Sequence, residues 1–398
     1  MSMTTTPFRF VFAPGEVQRL RQRIDLTRWP EPFEAPDWSY GTDPDYLREL
    51  VAYWRDGFDF AAAEERLNAL PNFRTEIDRL PVHHIHLRAE DADAVPVLLL
   101  HGWPGSVVEF LDVIPRLARP REAGEEAAAF HVVAPSLQGY AGSPGASRPG
   151  MSPRTIAGRL ARLMEELGYD RYVVQGGDWG SLVGSHLAAL HPDRVIGLHL
   201  SIAQPVPPAD LADPLAVVAE HEKPWLAANA VHAAEGLGYY AIQKTRPQTL
   251  AYALTDSPVG WCAWVLDKFH TWTDCERGGV RDLRNAVSWD AFLTNLSLYW
   301  FTGTIGSSIR LYREQFLAEQ RGEGTPGPIT VPAGVGIYPA EIVRSPRAWM
   351  ERRLPVRHWH EAPAGGHFAA LEQPRLFIDD LRAFRNSLAA VEAGPQPA

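Results

Sequence analysis

Gln175-Gly176-Gly177-Asp178-Trp179-Gly180 stands between a strand-like run at 172–175 and a helix-like segment at 180–190. A side chain presented at the tip of a tight strand-to-helix turn needs small residues two before and two after it, because the turn leaves no room there for Cβ atoms. Gly176 and Gly180 hold those places, so Asp178 is the residue presented. The plain alternative is an acid that only caps the helix, and the paired glycines after a strand weigh against it. No G-x-S-x-G pentapeptide occurs in the chain.

Outward from this turn, strand and helix alternate. Val95–Leu100 is an unbroken apolar run, as in a parallel strand buried on both faces. It is followed by a helix-like segment at 107–118, a strand at 130–135 and a punctuated helix. Ser152 is that helix's N-cap, Pro153 its first residue, Ile156, Leu160, Leu163 and Leu167 its stripe, and Gly168 its stop. Another strand spans 195–200. This grammar predicts an α/β fold with a mostly parallel sheet. From 204 to 324 the strand signal disappears into aromatic, helix-like sequence that holds all three lysines, Lys223, Lys244 and Lys268. It resumes with a strand at 329–337 and ends in a helix near 377–388. The first ninety residues read as helical segments broken by proline, including a helix at 44–57 and a stop at Trp29-Pro30-Glu31-Pro32, then a strand at 81–88. The expected organisation is an N-terminal meander at 1–90 wrapping the rest, a core at 91–204 and 326–398, and a helical lid at 205–325.

Composition excludes several classes. The 398 residues are 45% hydrophobic and carry a net charge of −10, which argues against a nucleic-acid partner. There is no secretory signal and no run of about 18 apolar residues, so no membrane span is expected. Two cysteines, Cys262 and Cys275, are too few for a disulfide framework and fit the reducing cytoplasm. His83, His84 and His86 suggest a metal cluster, but on a strand His83 faces away from the other two, so no metal site is expected. No cofactor motif is found. Oligomeric state stays open, with a homodimer one option.

Three signals carry the chemistry. A carboxylate nucleophile at carbon leaves an alkyl ester that water can hydrolyse, whereas a serine would leave an inert ether. Asp178 therefore points to an epoxide or a carbon–halogen bond as the target. His101-Gly102-Trp103-Pro104-Gly105 follows the first core strand, where the Trp103 N–H, with that of Trp179, would form an oxyanion hole. His101 itself reads as a brace of that turn. Gly365-Gly366-His367-Phe368 lies late in the chain, and its histidine suits a general base. Such a base needs an orienting carboxylate. Glu341, just past the resumed strand, is preferred, and Glu361 is the competitor.

The order Asp178, Glu341, His367 resembles the α/β-hydrolase fold, and the wording is similar to epoxide hydrolases of the microsomal type. The similarity rests on HGWPG, GGDWGS, DSPVG, TGTIGSS, GGHFAALEQP and the segment ending in TRWPEP, and spans nearly the whole chain. It implies a cofactor-independent enzyme that turns an epoxide and water into a vicinal diol, with two lid tyrosines holding the oxirane oxygen. Carried over by motif these are Tyr239 and Tyr312, with Tyr240 and Tyr299 as close alternatives. Animal members carry a membrane anchor ahead of the segment that begins here at Pro7, so a soluble bacterial member is expected. The aromatic lid suggests a bulky or aryl epoxide, either a xenobiotic to be detoxified or an intermediate of secondary metabolism. Two rivals remain: a haloalkane dehalogenase with the same aspartate, and a ligand-binding protein on this fold without turnover.

Overall fold

The computed structural model describes residues 4–31 and 38–392. Pro32, which closes the breaker run after Trp29, lies outside the described residues. The strands are β1 (Thr5–Pro7), β2 (Asn72–Ile77), β3 (Leu80–Leu87), β4 (Val95–Leu100), β5 (Phe130–Pro135), β6 (Tyr172–Gly176), β7 (Val195–Leu200), a small hairpin of β8 (Glu276–Arg277) and β9 (Val280–Arg281), β10 (Ala333–Ile337) and β11 (Val356–Glu361). Nine of them form one sheet in the order β1-β2-β3-β5-β4-β6-β7-β10-β11. From β5 to β11 every pairing is parallel, while β1, β2, β3 and β5 pair antiparallel. After β4 the chain steps to β5 on one side, and later returns to β6 on the other. That reversal is a switch point, and the crevice beyond the carboxyl ends of β4 and β6 is where such sheets bind ligands. HGWPG follows β4 and the Asp178 turn follows β6.

The punctuated helix forms as read, Pro153–Glu166, with the Ser152 hydroxyl accepting from the Thr155 amide and Gly168 at φ +81°. Other segments differ from expectation for local reasons. The helix expected at 107–118 is a one-turn piece, Val107–Phe110, and a separate helix, Val113–Ala118. Pro115 has no N–H, so it fits only in a first turn, and the helix restarts just ahead of it. The strand expected from 329 begins at Ala333, because Pro332 offers the sheet only its carbonyl, which accepts from the Leu198 amide. The helix expected at 44–57 is α-helical only through Ala52 and continues as a π-helical turn, Tyr53–Gly57. The sheet also reaches back across the boundary expected at residue 90. β1 and β2 were not foreseen, since β2 (Asn-Phe-Arg-Thr-Glu-Ile) is too polar to read as core.

Residues 204–324 are mainly helical: Lys223–Val231, Gly238–Thr245, Pro247–Asp256, Pro258–Trp272, Trp289–Thr302 and Ile305–Gln320, interrupted by the β8–β9 hairpin around Gly278 and Gly279. The N-terminal segment is stitched to them. The buried Trp54 indole donates to Ser297 Oγ at 2.9 Å, and Thr42 Oγ1 donates to the Ala263 carbonyl at 2.8 Å. No helix among the described residues is long and apolar enough to cross a membrane.

Candidate active site

The Asp178 turn is dictated by backbone crowding. A Cβ on Gly176 would stand 2.3 Å from the Gly180 carbonyl oxygen, and one on Gly180 would stand 2.1 Å from the Leu100 carbonyl oxygen. Both approaches are far inside van der Waals contact, so only glycine fits. Asp178 itself takes φ +46°, a left-handed conformation that a non-glycine residue holds at a cost of about 1–3 kcal/mol and that recurs at functional sites. It opens the helix Asp178–Leu190, where the helix dipole favours a carboxylate.

The HGWPG turn comes up against this carboxylate. The Trp103 amide donates to Asp178 Oδ1 at 2.7 Å, and the Trp103–Pro104 peptide is cis. Gly102 must also be bare, because a Cβ there would lie 2.0 Å from Asp178 Oδ1. His101 braces the turn: its Nδ1 donates to the Gly102 carbonyl at 3.0 Å, and its Nε2 accepts from the Leu137 amide at 3.1 Å. Burial pushes its pKa down to about 4, which keeps it neutral. From the lid side, Asn295 Nδ2 donates to the Pro104 carbonyl at 2.8 Å and Tyr299 Oη to the Gly105 carbonyl at 2.5 Å.

His367 lies between two carboxylates. Its Nδ1 donates to Glu341 Oε1 at 2.8 Å, which leaves Nε2 facing Asp178 Oδ2 at 3.6 Å. Burial opposes a charge on the ring, yet the Glu341 carboxylate and the nearby Asp178 lift its pKa well above the ordinary histidine value. Glu341 is held in turn by the Ile342 amide at 2.7 Å. The loops carrying the pair are joined by the Ala340 amide donating to the Gly365 carbonyl at 3.0 Å. The helix Pro258–Trp272 grips the same loop: the His367 amide donates to the Trp272 carbonyl at 2.9 Å, and a Cβ on Gly366 would lie 2.5 Å from that oxygen. Glu361 points elsewhere, accepting from Trp359 Nε1 and His221 Nε2 at the surface.

Tyr239, in the helix Gly238–Thr245, and Tyr312, in the helix Ile305–Gln320, meet over Trp103. The Tyr239 ring stacks on the Trp103 indole at 5.4 Å, and Tyr312 stands edge-on to Trp103 at 5.7 Å and to Trp179 at 4.7 Å. The two tyrosine rings are 5.9 Å apart. Tyr312 Oη is buried with no hydrogen-bond partner. Burial first, and then nearby acidic groups including Asp178, raise both phenols well above 10, so each remains a proton donor. Of the alternatives, the Tyr299 hydroxyl is committed to Gly105, and Tyr240 is only half-buried, with the Lys244 ammonium 5.2 Å from its ring centre. Trp179 reaches the site both as the residue after Asp178 and through its ring.

Two acids that the sequence did not single out border the site. Glu109 is half-buried in the one-turn piece Val107–Phe110. Its Oε1 occupies the space a Gly105 side chain would need, 1.8 Å from the Cβ position. Burial pushes its pKa up to about 8, with His367 pulling down and Asp178 adding to the rise. Glu372 accepts from the Asp274 and Phe368 amides at 2.7 and 2.9 Å, and burial raises it to about 7. A lone acid in the apolar run Val107-Val108-Glu109-Phe110 was the available signal for the first. The nitrogens of His83 and His86 are engaged separately, His83 with Ser136 and Asn72, and His86 with the Tyr169 hydroxyl.

Residues 5–110 match the family described as epoxide hydrolase N terminus, and residues 95–237 match the alpha/beta hydrolase fold family. A relative from Stigmatella aurantiaca is 42% identical over 383 residues, covering 95% of this chain and 84% of the relative. Epoxide hydrolase 1 of Sus scrofa is 35% identical, covering 96% of this chain and 88% of its own length. Among solved structures, juvenile hormone epoxide hydrolase from Bombyx mori superposes with a TM-score of 0.89 at 33% identity, covering 98% of this chain and 96% of that one. Aspergillus niger epoxide hydrolase does so at 0.86 and 31%, covering 97% of each. Together with the parallel sheet, its Asp178 turn and the helical insertion above it, these likenesses make the chain a member of the epoxide hydrolase family, on the α/β-hydrolase fold.

Proposed function

We propose that the chain hydrolyses a bulky or aryl-substituted epoxide through an alkyl ester on Asp178. The observation that carries this reading is the placement of the Asp178 carboxylate between the Trp103 amide and the His367 ring, with two phenol donors over Trp103. In the first step Asp178 Oδ2 attacks a ring carbon while Oδ1 stays on the Trp103 amide. The C–O bond breaks, and the leaving oxygen takes a proton from Tyr239 or Tyr312. That step removes the negative charge on Asp178, and with it part of what holds the proton on His367, which passes to the tyrosinate and leaves the imidazole neutral. Oriented by Glu341, the imidazole then becomes the base that deprotonates water attacking Asp178 Cγ. The Trp103 and Trp179 amides receive the oxyanion, the ester opens, and the diol leaves carrying an oxygen from Asp178. The departing oxygen takes the remaining proton of that water, and Asp178, His367 and the tyrosine end as they began, so the sum is epoxide plus water to diol. The surrounding rings of Trp103, Tyr239, Tyr240, Trp272 and Tyr312 favour an aromatic or otherwise bulky substituent. The cytoplasm fits two cysteines that remain buried thiols.

The test is one turnover in heavy-oxygen water with styrene oxide. Label should enter Asp178 and be absent from the first diol, while Asp178→Ala is inactive. Label in the diol alone would rule out the ester. Halide release from bromoalkanes without action on styrene oxide would replace the reading with dehalogenation.

A further inference from the structure

Outside the catalytic groups, three imidazoles converge on one buried carboxylate. His199 lies on β7, His358 and His360 on β11, and Asp380 on the helix Pro374–Glu392. His199 Nε2 is 3.0 Å from Asp380 Oδ2, while His358 Nε2 and His360 Nδ1 are 2.6 and 3.3 Å from Oδ1. His199 and Asp380 are fully buried, His358 nearly so, and the His360 side chain is 34% exposed, which gives an approach from solvent.

The strand between them is cut to fit. β10 runs between β7 and β11, and its Gly334 pairs with His199 on one side and His358 on the other, while Gly336 pairs with His360. All three imidazoles therefore stand on one face of the sheet, over positions with no side chain. A Cβ on Gly334 would lie 2.9 Å from the His199 ring, and one on Gly336 would lie 2.4 Å from Asp380 Oδ2. Gly334-Val335-Gly336 and His358-Trp359-His360 are thus complementary: alternate positions are cleared on one strand and filled with imidazole on the next.

His199 and His358 can each donate to Asp380, and His360 Nδ1 stands 3.3 Å from Oδ1 in a direction that makes no well-aligned hydrogen bond. Three imidazole nitrogens and a carboxylate oxygen are a complete tetrahedral donor set for Zn²⁺, which takes nitrogen and oxygen at about 2.0–2.2 Å. The His199, His358 and Asp380 donor atoms already lie within 4.8 Å of one another. Seating an ion asks that His358 and the carboxylate draw apart and that His360, which lies outside that group, turn in as the fourth donor.

We propose that His199, His358, His360 and Asp380 form a structural site for a zinc-like divalent metal. It would join β7, which precedes the lid insertion, to β11 and the last helix, which follow it. β11 leads into the loop that carries His367, so the ion would brace the base from behind and take no part in opening the epoxide.

The test uses the full-length chain stripped with chelator, then titrated with zinc sulfate by calorimetry and with cobalt chloride by visible absorption. One equivalent should bind, cobalt should show the d–d band of a tetrahedral site, and zinc should raise the melting temperature. Removing one outer-shell partner of a metal typically weakens binding 10–100-fold, so deleting a ligand in His358→Ala or His360→Ala should lower affinity at least about a hundredfold. His221→Ala, at the exposed group of His221, Glu222 and Glu361, should change nothing. Absence of stoichiometric binding, binding that survives both ligand variants, or binding lost in His221→Ala would each overturn the site and leave a hydrogen-bonded cluster only.

Discussion

The Asp178 turn and the tyrosines above it are two halves of one site, positioned by different means. At the turn the constraint is backbone against backbone: Gly176 against Gly180, and Gly180 against Leu100. In the lid the constraint is ring against ring, with Tyr239 and Tyr312 placed by packing on Trp103, Trp179 and each other. Backbone contacts leave no freedom, so the place of Asp178 cannot be tuned. Ring contacts tolerate shifts of helices, so the placement of Tyr239 and Tyr312 can vary while the Asp178 turn stays fixed.

The hardest blow to that contrast should come from Gly180→Ala. A methyl group 2.1 Å from the Leu100 carbonyl cannot be relieved by a rotamer, so destabilisation above about 3 kcal/mol is expected, read by denaturant unfolding. A variant that is as stable and active as the parent would mean that the turn is not backbone-limited. Smaller, and opposite in kind, is the expectation for Tyr239→Phe and Tyr312→Phe. Each should slow the first step by about a hundredfold in single-turnover assays. Tyr312→Phe should do so with unchanged or higher stability, since it removes a buried hydroxyl that has no partner. Equal loss of stability and rate would make the hydroxyl a packing element instead.

The smallest effect concerns Glu109. Its folded pKa, about 8, is above the ordinary 4.5, so the folded chain holds a proton that the unfolded chain releases first. Stability from this group is full below pH 4.5 and falls as pH rises toward 8. Glu109→Gln should therefore melt at nearly the parent temperature at about pH 4 and a few degrees above it at about pH 9. A difference that does not vary with pH would place the carboxyl in an ordinary solvated setting.

Legibility in the sequence followed the same division. β4 is an apolar run and β6 is apolar up to Gln175, each leads into a glycine-bearing turn, and the sequence predicts both with nearly the observed bounds. β2 and β11 are as much a part of the sheet, but Asn-Phe-Arg-Thr-Glu-Ile and Val-Arg-His-Trp-His-Glu carry polar residues whose partners lie far along the chain. His358 makes sense only beside Asp380 and Gly334, and Glu109 only beside His367. Pro115 and Pro332 impose breaks that the apolar pattern around them obscures.

The sequence by itself determined that Asp178 is presented at the tip of a tight strand-to-helix turn, because a tight turn is a local steric problem with few solutions. Tyr239 and Tyr312 could be chosen from twelve tyrosines only by resemblance. Only the tertiary structure decided that Glu341 rather than Glu361 reaches His367, that Tyr299 is spent on Gly105, and that three histidines share Asp380. Each of those outcomes depends on which distant strands and helices the packing of the whole chain brings within a few ångströms, and no local pattern records that.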